Sequence, residues 1–246
     1  MRRMTKRLID FLVAFVLLLV LAPLLLVLAA MIRLTLGSPV LFRQRRPGLH
    51  GKPFVLYKFR SMRFAYDRDG QPLPDQERLT PVGCFLRKTS LDELPQLWNV
   101  LRGEMSLVGP RPLLMQYLAR YTAEQSRRHE LPPGMTGWAQ IHGRQALAFS
   151  KRLELDVWYV DHWSLRLDFK IAWKTVINVL RAEGVRLDQK PEEVDDLGLY
   201  THPESNHSAF TTRRKPAEGR RPAAGSTEAR SGPASDGCPE NRPASP

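Results

Sequence analysis

The sequence predicts an α+β chain, mostly helical with a small β-hairpin, which starts in a proline-kinked re-entrant membrane helix and carries interfacial amphipathic helices. Three observations predict it: an uncharged apolar run near the start, two short β-prone runs separated by a Pro-Gly turn, and helical periodicity over much of the remainder.

The apolar run covers residues 11–32, rich in Leu and Val, and is long enough to cross the hydrocarbon as a helix. Cations flank it on both sides, with Arg2, Arg3, Lys6 and Arg7 before it and Arg33, Arg43, Arg45 and Arg46 after it. Lys and Arg favour the cytoplasmic face, so both ends are drawn there. Pro23, which follows Ala22 near the middle, has no N–H for the carbonyl of Leu19 and offers a bend. The favoured reading is a helix over residues 1–36 that turns at Ala22 and Pro23 and leaves on the face it entered. A straight span, a cleaved signal peptide and a buried core helix are the alternatives. The run exceeds the roughly 7–15 apolar residues of a signal peptide.

Residues 39–44 and 53–59 are β-prone and flank the turn-forming Pro47-Gly48-Leu49-His50-Gly51, so they are expected to pair as a hairpin. A polar loop follows over residues 67–75. Helical patterns cover residues 94–101 and 113–130, and Pro132-Pro133-Gly134 stops the second. In residues 165–181, Leu165, Phe169, Ile171, Trp173 and Val176 alternate with Arg166, Lys170, Lys174 and Arg181. That pattern suits a helix lying in the membrane interface as well as it suits one facing a core.

The formal charge is +12, nearly all of it in the first 200 residues. Such a surface attracts anionic lipid headgroups and phosphate-bearing substrates. Zinc-finger spacing, an aromatic RNA-binding signature and a helix-turn-helix pattern are all missing, so nucleic acid is not an expected partner. Six scattered histidines and two cysteines make no metal-binding spacing. Residues 199–246 are rich in Pro, Gly, Ser, Ala and Arg and lack the apolar mass to offset chain entropy. They are expected to form a disordered tail, dispensable for activity, behind a catalytic domain over residues 37–198.

The chemistry is expected at the adjacent carboxylates Asp92 and Glu93. Ser90 and Glu93 have the spacing of a helix capping box, which would account for the acids without any catalysis. Pro95 argues for more, since it cannot donate to the carbonyl of Leu91 and so constrains the helix start. A freed carbonyl and two carboxylates beside Arg87, Lys88 and Arg111 suit a site for a metal ion and phosphates. Pro110 and Pro112 restrict the turn that carries Arg111.

Five separated motifs carry a resemblance to a known family. They are Lys58-Phe59-Arg60-Ser61-Met62, Leu91-Asp92-Glu93-Leu94-Pro95-Gln96-Leu97-Trp98-Asn99-Val100-Leu101, Gly109-Pro110-Arg111-Pro112, Gly137-Trp138-Ala139-Gln140 and Leu155-Asp156-Val157-Trp158-Tyr159. In that order, over residues 5–185, the chain resembles the bacterial sugar transferases and more narrowly the small monotopic phosphoglycosyl transferases. The resemblance implies an enzyme of the bacterial inner membrane, facing the cytoplasm, that moves a phospho-sugar from a UDP-sugar to undecaprenyl phosphate and releases UMP. It implies Asp92 as nucleophile, and Glu93 beside it as ligand of Mg²⁺. Arg87, Arg111 and Arg144 are implied phosphate contacts, supported by Pro95, Pro110, Pro112 and Gln140. Lys58 and Arg60 are read as lipid-facing, and Asp156 and Tyr159 as packing residues.

The chain departs from the family pattern at three positions. Ala22 stands where the family usually has Ser, Pro132 where a basic residue is common, and His142 where Asn is common. Neither the donor sugar nor the carrier nucleotide follows from composition. A membrane scaffold without catalysis, or a glycosyltransferase releasing UDP, is the competing functional class.

Overall fold

The computed structural model describes residues 2–67, 70–71, 73–143, 147–181 and 195–198. Helix α1, Arg2–Thr35, contains Pro23 and remains helical through it. The expected turn at Ala22 and Pro23 is therefore not a break in the helix; a proline deletes one ladder bond, and the bonds on either side hold the backbone. The helix is long and apolar enough to cross a membrane.

A stripe of inward positions runs along α1 at helical spacing: Lys6, Asp10, Ala14, Leu18, Leu21, Leu25, Leu28 and Ile32. The other faces expose Leu8, Leu12, Phe15, Leu19, Leu26 and Val27. Both ends of the stripe are pinned to the rest of the chain. At the start, Lys6 donates to Asp168 at 2.6 Å, Ser106 Oγ donates to Asp10 at 2.8 Å, and Arg7 donates to the carbonyls of Val100 and Leu101. At the end, the buried Arg60 donates to the carbonyls of Gly37 at 2.7 Å, Ser38 at 3.1 Å and Leu36. Arg60 is thus a cap on the departing chain and not a lipid-facing cation, because three converging carbonyls replace its water.

Strands β1, Leu41–Pro47, and β2, Pro53–Phe59, pair antiparallel as the expected hairpin, with Leu41 opposite Phe59 and Pro47 opposite Pro53. Alternation along β2 puts Phe54, Leu56 and Lys58 on one face. Short helix α2, Asp75–Arg78, precedes α3, Pro81–Lys88. Helix α3 starts at Thr80, whose hydroxyl accepts from the Gly83 N–H at 3.1 Å. A side chain at Gly83 would stand 1.8 Å from the Ser61 carbonyl, so only glycine lets α3 lie against the chain leaving β2.

A 3₁₀ turn, Leu91–Glu93, leads into α4, Gln96–Arg102, shorter than the expected helix over 94–101 because Pro95 takes the capping position. The fully buried Asn99 ties α4 to the hairpin: its amide donates to Val55 O at 2.6 Å and accepts from Tyr57 N at 3.2 Å. Strand β3, Ser106–Val108, pairs in parallel with β4, Gly134–Thr136, a second small sheet that the sequence reading did not anticipate.

Between them the expected helix over 113–130 does not form. A 3₁₀ helix, Met115–Arg120, the one-turn α5, Ala123–Ser126, and a further 3₁₀ turn, Arg127–Glu130, take its place. Tyr121 is extended, and Thr122 then opens a new turn with a reciprocal capping box to Gln125. The break turns Arg128 inward to its partners. Helices α6, Trp138–Ile141, α7, Phe149–Asp161, and α8, Leu165–Leu180, complete the fold.

Four apolar clusters hold these elements. Phe54, Leu56, Leu97, Val100 and Met105 seat the hairpin on α4 and α1, while Phe59 and Leu86 meet Leu28 and Ile32. Val108, Leu131, Ile141, Tyr159 and Ile171 join β3 to α6, α7 and α8, and Leu113 and Tyr117 pack on Phe149 and Leu153. Helix α8 does turn one face to the core, where Ile171 is buried, and the opposite face carries Phe169 and Trp173, 73% and 62% exposed. Residues 199–246, expected as a tail, lie outside the described residues.

Candidate active site

The acidic pair owes its position to Ser90. After α3 ends, Ser90 adopts a left-handed conformation at φ 57°, ψ 17°, and the chain reverses so that Leu91–Glu93 returns against β2. A non-glycine residue there costs about 1 kcal/mol, a strain held by the packing of α3 and α4 on either side. The Ser90 side chain makes no capping bond, so the capping-box explanation of Glu93 fails. The Leu91 carbonyl is not free either, since it accepts from Leu94 N at 3.3 Å.

Glu93 is instead clamped by two cations. Lys58 Nζ donates to its Oε1 at 2.6 Å, and the Arg111 guanidinium donates to both oxygens, at 3.3 Å to Oε2 and more closely to Oε1. Burial alone would raise this carboxyl, but Arg111 and Lys58, by charge and by hydrogen bond, hold it well below the usual carboxylate range. Asp92, buried one residue earlier, has Lys58 at 4.0 Å as its ion-pair partner and accepts no hydrogen bond among the described residues. Desolvation pushes the Asp92 carboxyl up; Lys58 opposes this, Glu93 adds to it, and Arg87 and Arg111 pull it back further.

Arg111 is set by a second layer. The Gly109 N–H bonds Thr136 O at 2.8 Å, and the Gly134 N–H bonds Pro110 O at 3.0 Å, so the Pro-Arg-Pro turn grows out of the β3–β4 pairing. A Cβ at Gly134 would stand 2.1 Å from Gly109 N, which reserves that position for glycine. Arg128 then donates through one guanidinium nitrogen to the Arg111 carbonyl at 2.7 Å and to Asp156 Oδ2 at 2.6 Å. The Arg128–Asp156 pair is 1% exposed on each side. Arg46 donates to Pro112 O at 3.4 Å, and burial with the nearby charge of Arg111 lowers its pKa to about 10.

Arg87 donates to Ser61 Oγ at 3.0 Å and its charge is felt at Asp92. Pro95 caps α4, and Pro110 and Pro112 are buried around Arg111. Gln140 Oε1 stands 2.8 Å from where a Cβ on Gly137 would lie, and the Gln140 amide oxygen and nitrogen are both buried without a hydrogen-bond partner among the described residues. Arg144 lies outside the described residues.

Lys58 corrects the expectation of a lipid-facing side chain. Its parity with Phe54 and Leu56 turns it inward to the carboxylates, and a lysine at a core-facing position of a strand was the signal available in the sequence. Arg128 carried no comparable signal, because it lies in a stretch with helical periodicity. Asp156 packs as expected, and the pair it forms with Arg128 also holds the Arg111 backbone. Tyr159 likewise packs, with its hydroxyl donating to Asp168 at 2.6 Å.

The donor set suits a divalent cation in one respect: Asp92 offers carboxylate oxygens that no described hydrogen bond occupies. Mg²⁺ is commonly held by one or two carboxylates plus substrate phosphate. Around that pair, Lys58, Arg87 and Arg111 provide positive charge for phosphoryl oxygens. A carboxylate ringed by cations, in a chain whose first helix is long and apolar enough to cross a membrane, has the make-up of a phosphate-handling transferase.

The chain belongs to the bacterial sugar transferase family, whose profile matches residues 1–182. It is 58% identical over 181 residues to an uncharacterized sugar transferase, EpsL, of Bacillus subtilis, covering 74% of this chain and 90% of that one. It is also 42% identical over 187 residues to the UDP-glucose:undecaprenyl-phosphate glucose-1-phosphate transferase of Xanthomonas campestris pv. campestris. The alignment covers 71% of this chain and 38% of that relative. An Escherichia coli enzyme of the same name is 42% identical over 185 residues, with 71% and 40% covered. The chain thus spans most of the first relative and about two fifths of the other two.

Proposed function

We infer that this protein is a phosphoglycosyl transferase that moves a phospho-sugar from a UDP-sugar to undecaprenyl phosphate, giving undecaprenyl diphospho-sugar and UMP. The observation that carries the reading is the asymmetry of the acidic pair, with Glu93 clamped by Lys58 and Arg111 while Asp92 stays open. The names of the relatives supply the substrate class: glucose-1-phosphate transferases acting on UDP-glucose and undecaprenyl phosphate.

Asp92 attacks the phosphorus that bears the sugar, the bond from that phosphorus to the bridging oxygen breaks, and UMP leaves. The phospho-sugar is then an acyl-phosphate on Asp92. A phosphate oxygen of the acceptor attacks the same phosphorus, the acyl-phosphate bond breaks, and the Asp92 carboxylate is regenerated. A desolvated carboxylate without hydrogen bonds is a better nucleophile than a solvated one, and it needs no general base at neutral pH. Lys58, Arg87 and Arg111 neutralise the non-bridging oxygens. Mg²⁺, when bound, would supply further charge neutralisation at the diphosphate, with Asp92 the carboxylate open to it and Glu93 able to join only by giving up a contact to Lys58 or Arg111.

In this reading the chain sits on the cytoplasmic face of the bacterial inner membrane, with α1 re-entrant. What supports it is that Lys6 and Arg7 at one end of α1 and Leu36 and Gly37 at the other bond the same domain. The test is nucleotide product analysis with purified protein, Mg²⁺, undecaprenyl phosphate and a panel of UDP-sugars. UMP is expected with at least one donor. UDP would support a glycosyltransferase, and no nucleotide product a scaffold.

A further inference from the structure

On the far side of α8 from its buried face, a cavity of about 510 Å³ opens between the end of α7 and the first turns of α8. Its walls are Trp158, His162, Phe169 and Trp173, with Arg166 and Lys170 among them. The rings are ordered: Trp138 stacks on Trp158 at 4.7 Å, and Trp158 on His162 at 4.2 Å. Lys170 Nζ lies 5.6 Å from the centre of the Trp138 ring.

Among the described residues no carboxylate lines this cavity, and Asp161 and Asp168, close by in sequence, are turned elsewhere. Asp161 is bound to Arg127, while Asp168 faces Lys6, Tyr159 and Trp163. Arg166 and Lys170 make no ion pair among the described residues. An apolar, aromatic floor with two uncompensated cations is complementary to an amphiphile bearing one negative charge.

Depth follows from the Lys6–Asp168 bond. It sets the start of α8 beside the first turns of α1, where the cationic end of that helix gives way to exposed Leu8 and Leu12. That is the level of a lipid headgroup. The acceptor's phosphate has to reach Asp92, with which none of these residues makes a described hydrogen bond or ion pair.

We propose that the groove between α7 and α8 is a binding site for the headgroup of an anionic bilayer phospholipid, with Arg166 and Lys170 on its phosphate and Phe169, Trp158 and Trp173 against its glycerol and upper acyl chain. The proposal rests on the membrane placement of α1 given above and extends it to the exposed face of α8. It turns a general attraction to acidic membranes into a stoichiometric site that fixes the rotation of the domain about α1.

The test uses the full chain in dodecyl-maltoside micelles and reads quenching of tryptophan fluorescence by lipids brominated on the acyl chain. Brominated phosphatidylglycerol is expected to quench saturably, at least fivefold more tightly than brominated phosphatidylcholine, and to be displaced by unlabelled phosphatidylglycerol. The Arg166→Gln/Lys170→Gln double variant should lose the preference, with Lys170→Gln alone in between and Lys174→Gln unchanged. Equal quenching by the two lipids, a preference that survives the double substitution, or displacement by undecaprenyl phosphate alone would overturn the proposal. The readout needs no sugar donor, so failure of the proposed reaction, judged by UMP release, is a separate result.

Discussion

Asp92 and Glu93 are adjacent on one 3₁₀ turn and differ in electrostatic setting: Glu93 is gripped by Lys58 at 2.6 Å and by Arg111, whereas Asp92 has Lys58 at 4.0 Å. Of two identical functional groups, one is held ionised and occupied while the other is buried and available. That difference separates a positioning acid from a nucleophile.

The Lys58 ammonium is the charge that most opposes the upward push of burial on Asp92. Lys58→Gln should therefore move the acidic limb of the pH–rate profile to higher pH and lower kcat/KM by about 100-fold, on the scale of losing one electrostatic donor in an active site. An unmoved limb in the variant would disconnect Lys58 from the nucleophile.

Glu93 has a depressed pKa in the folded chain, so it adds stability above its unfolded value, and that contribution is lost as pH falls through the carboxylate range. Glu93→Gln should lower stability near pH 7 by about 2 kcal/mol, a buried-pair loss discounted for the partly exposed Arg111. Thermal melts against pH check this. The variant should lose less stability than the parent between neutral and acidic pH.

Arg128 and Asp156 form a dry pair, and Arg128 also holds the Arg111 carbonyl. Asp156→Leu alone strands a buried cation and should cost about 3–5 kcal/mol. The double variant Arg128→Met/Asp156→Leu should recover most of the stability while activity stays depressed about tenfold, because Arg111 has lost its backbone donor. Full recovery of activity along with stability would reduce the pair to packing.

Re-entrance of α1 predicts that a reporter inserted after Arg33 reads on the cytoplasmic side, together with the catalytic domain. A periplasmic signal would mean that the helix crosses and carries the domain after it to that side, and the bonds from Lys6 to Asp168 and from Arg7 to Val100 and Leu101 would have to break.

How much of this was legible in the chain depended on range. Asp92, Glu93 and Arg111 stood out because prolines and cations sit within a few residues of them. The hairpin was visible from its turn, yet the role of Lys58 required knowing which face of β2 meets the Leu91–Glu93 turn. Strands β3 and β4 are three residues each and carry no periodicity, so their pairing is written only in the close packing of Gly109 and Gly134. The helix expected over 113–130 failed because Arg128 finds better partners in Asp156 and the Arg111 carbonyl than an exposed helical face would offer. Local propensity loses there to a buried charge that must be paired.

The most direct test of Asp92 as the nucleophile is intact-protein mass spectrometry after mixing the purified chain, Mg²⁺ and the competent UDP-sugar without acceptor. The account predicts a mass increase of one phospho-sugar that maps to Asp92, is matched by an equal amount of UMP, and disappears on adding undecaprenyl phosphate or in Asp92→Asn. Turnover with acceptor but no adduct under rapid acid quench, or an adduct that persists in Asp92→Asn, would contradict it.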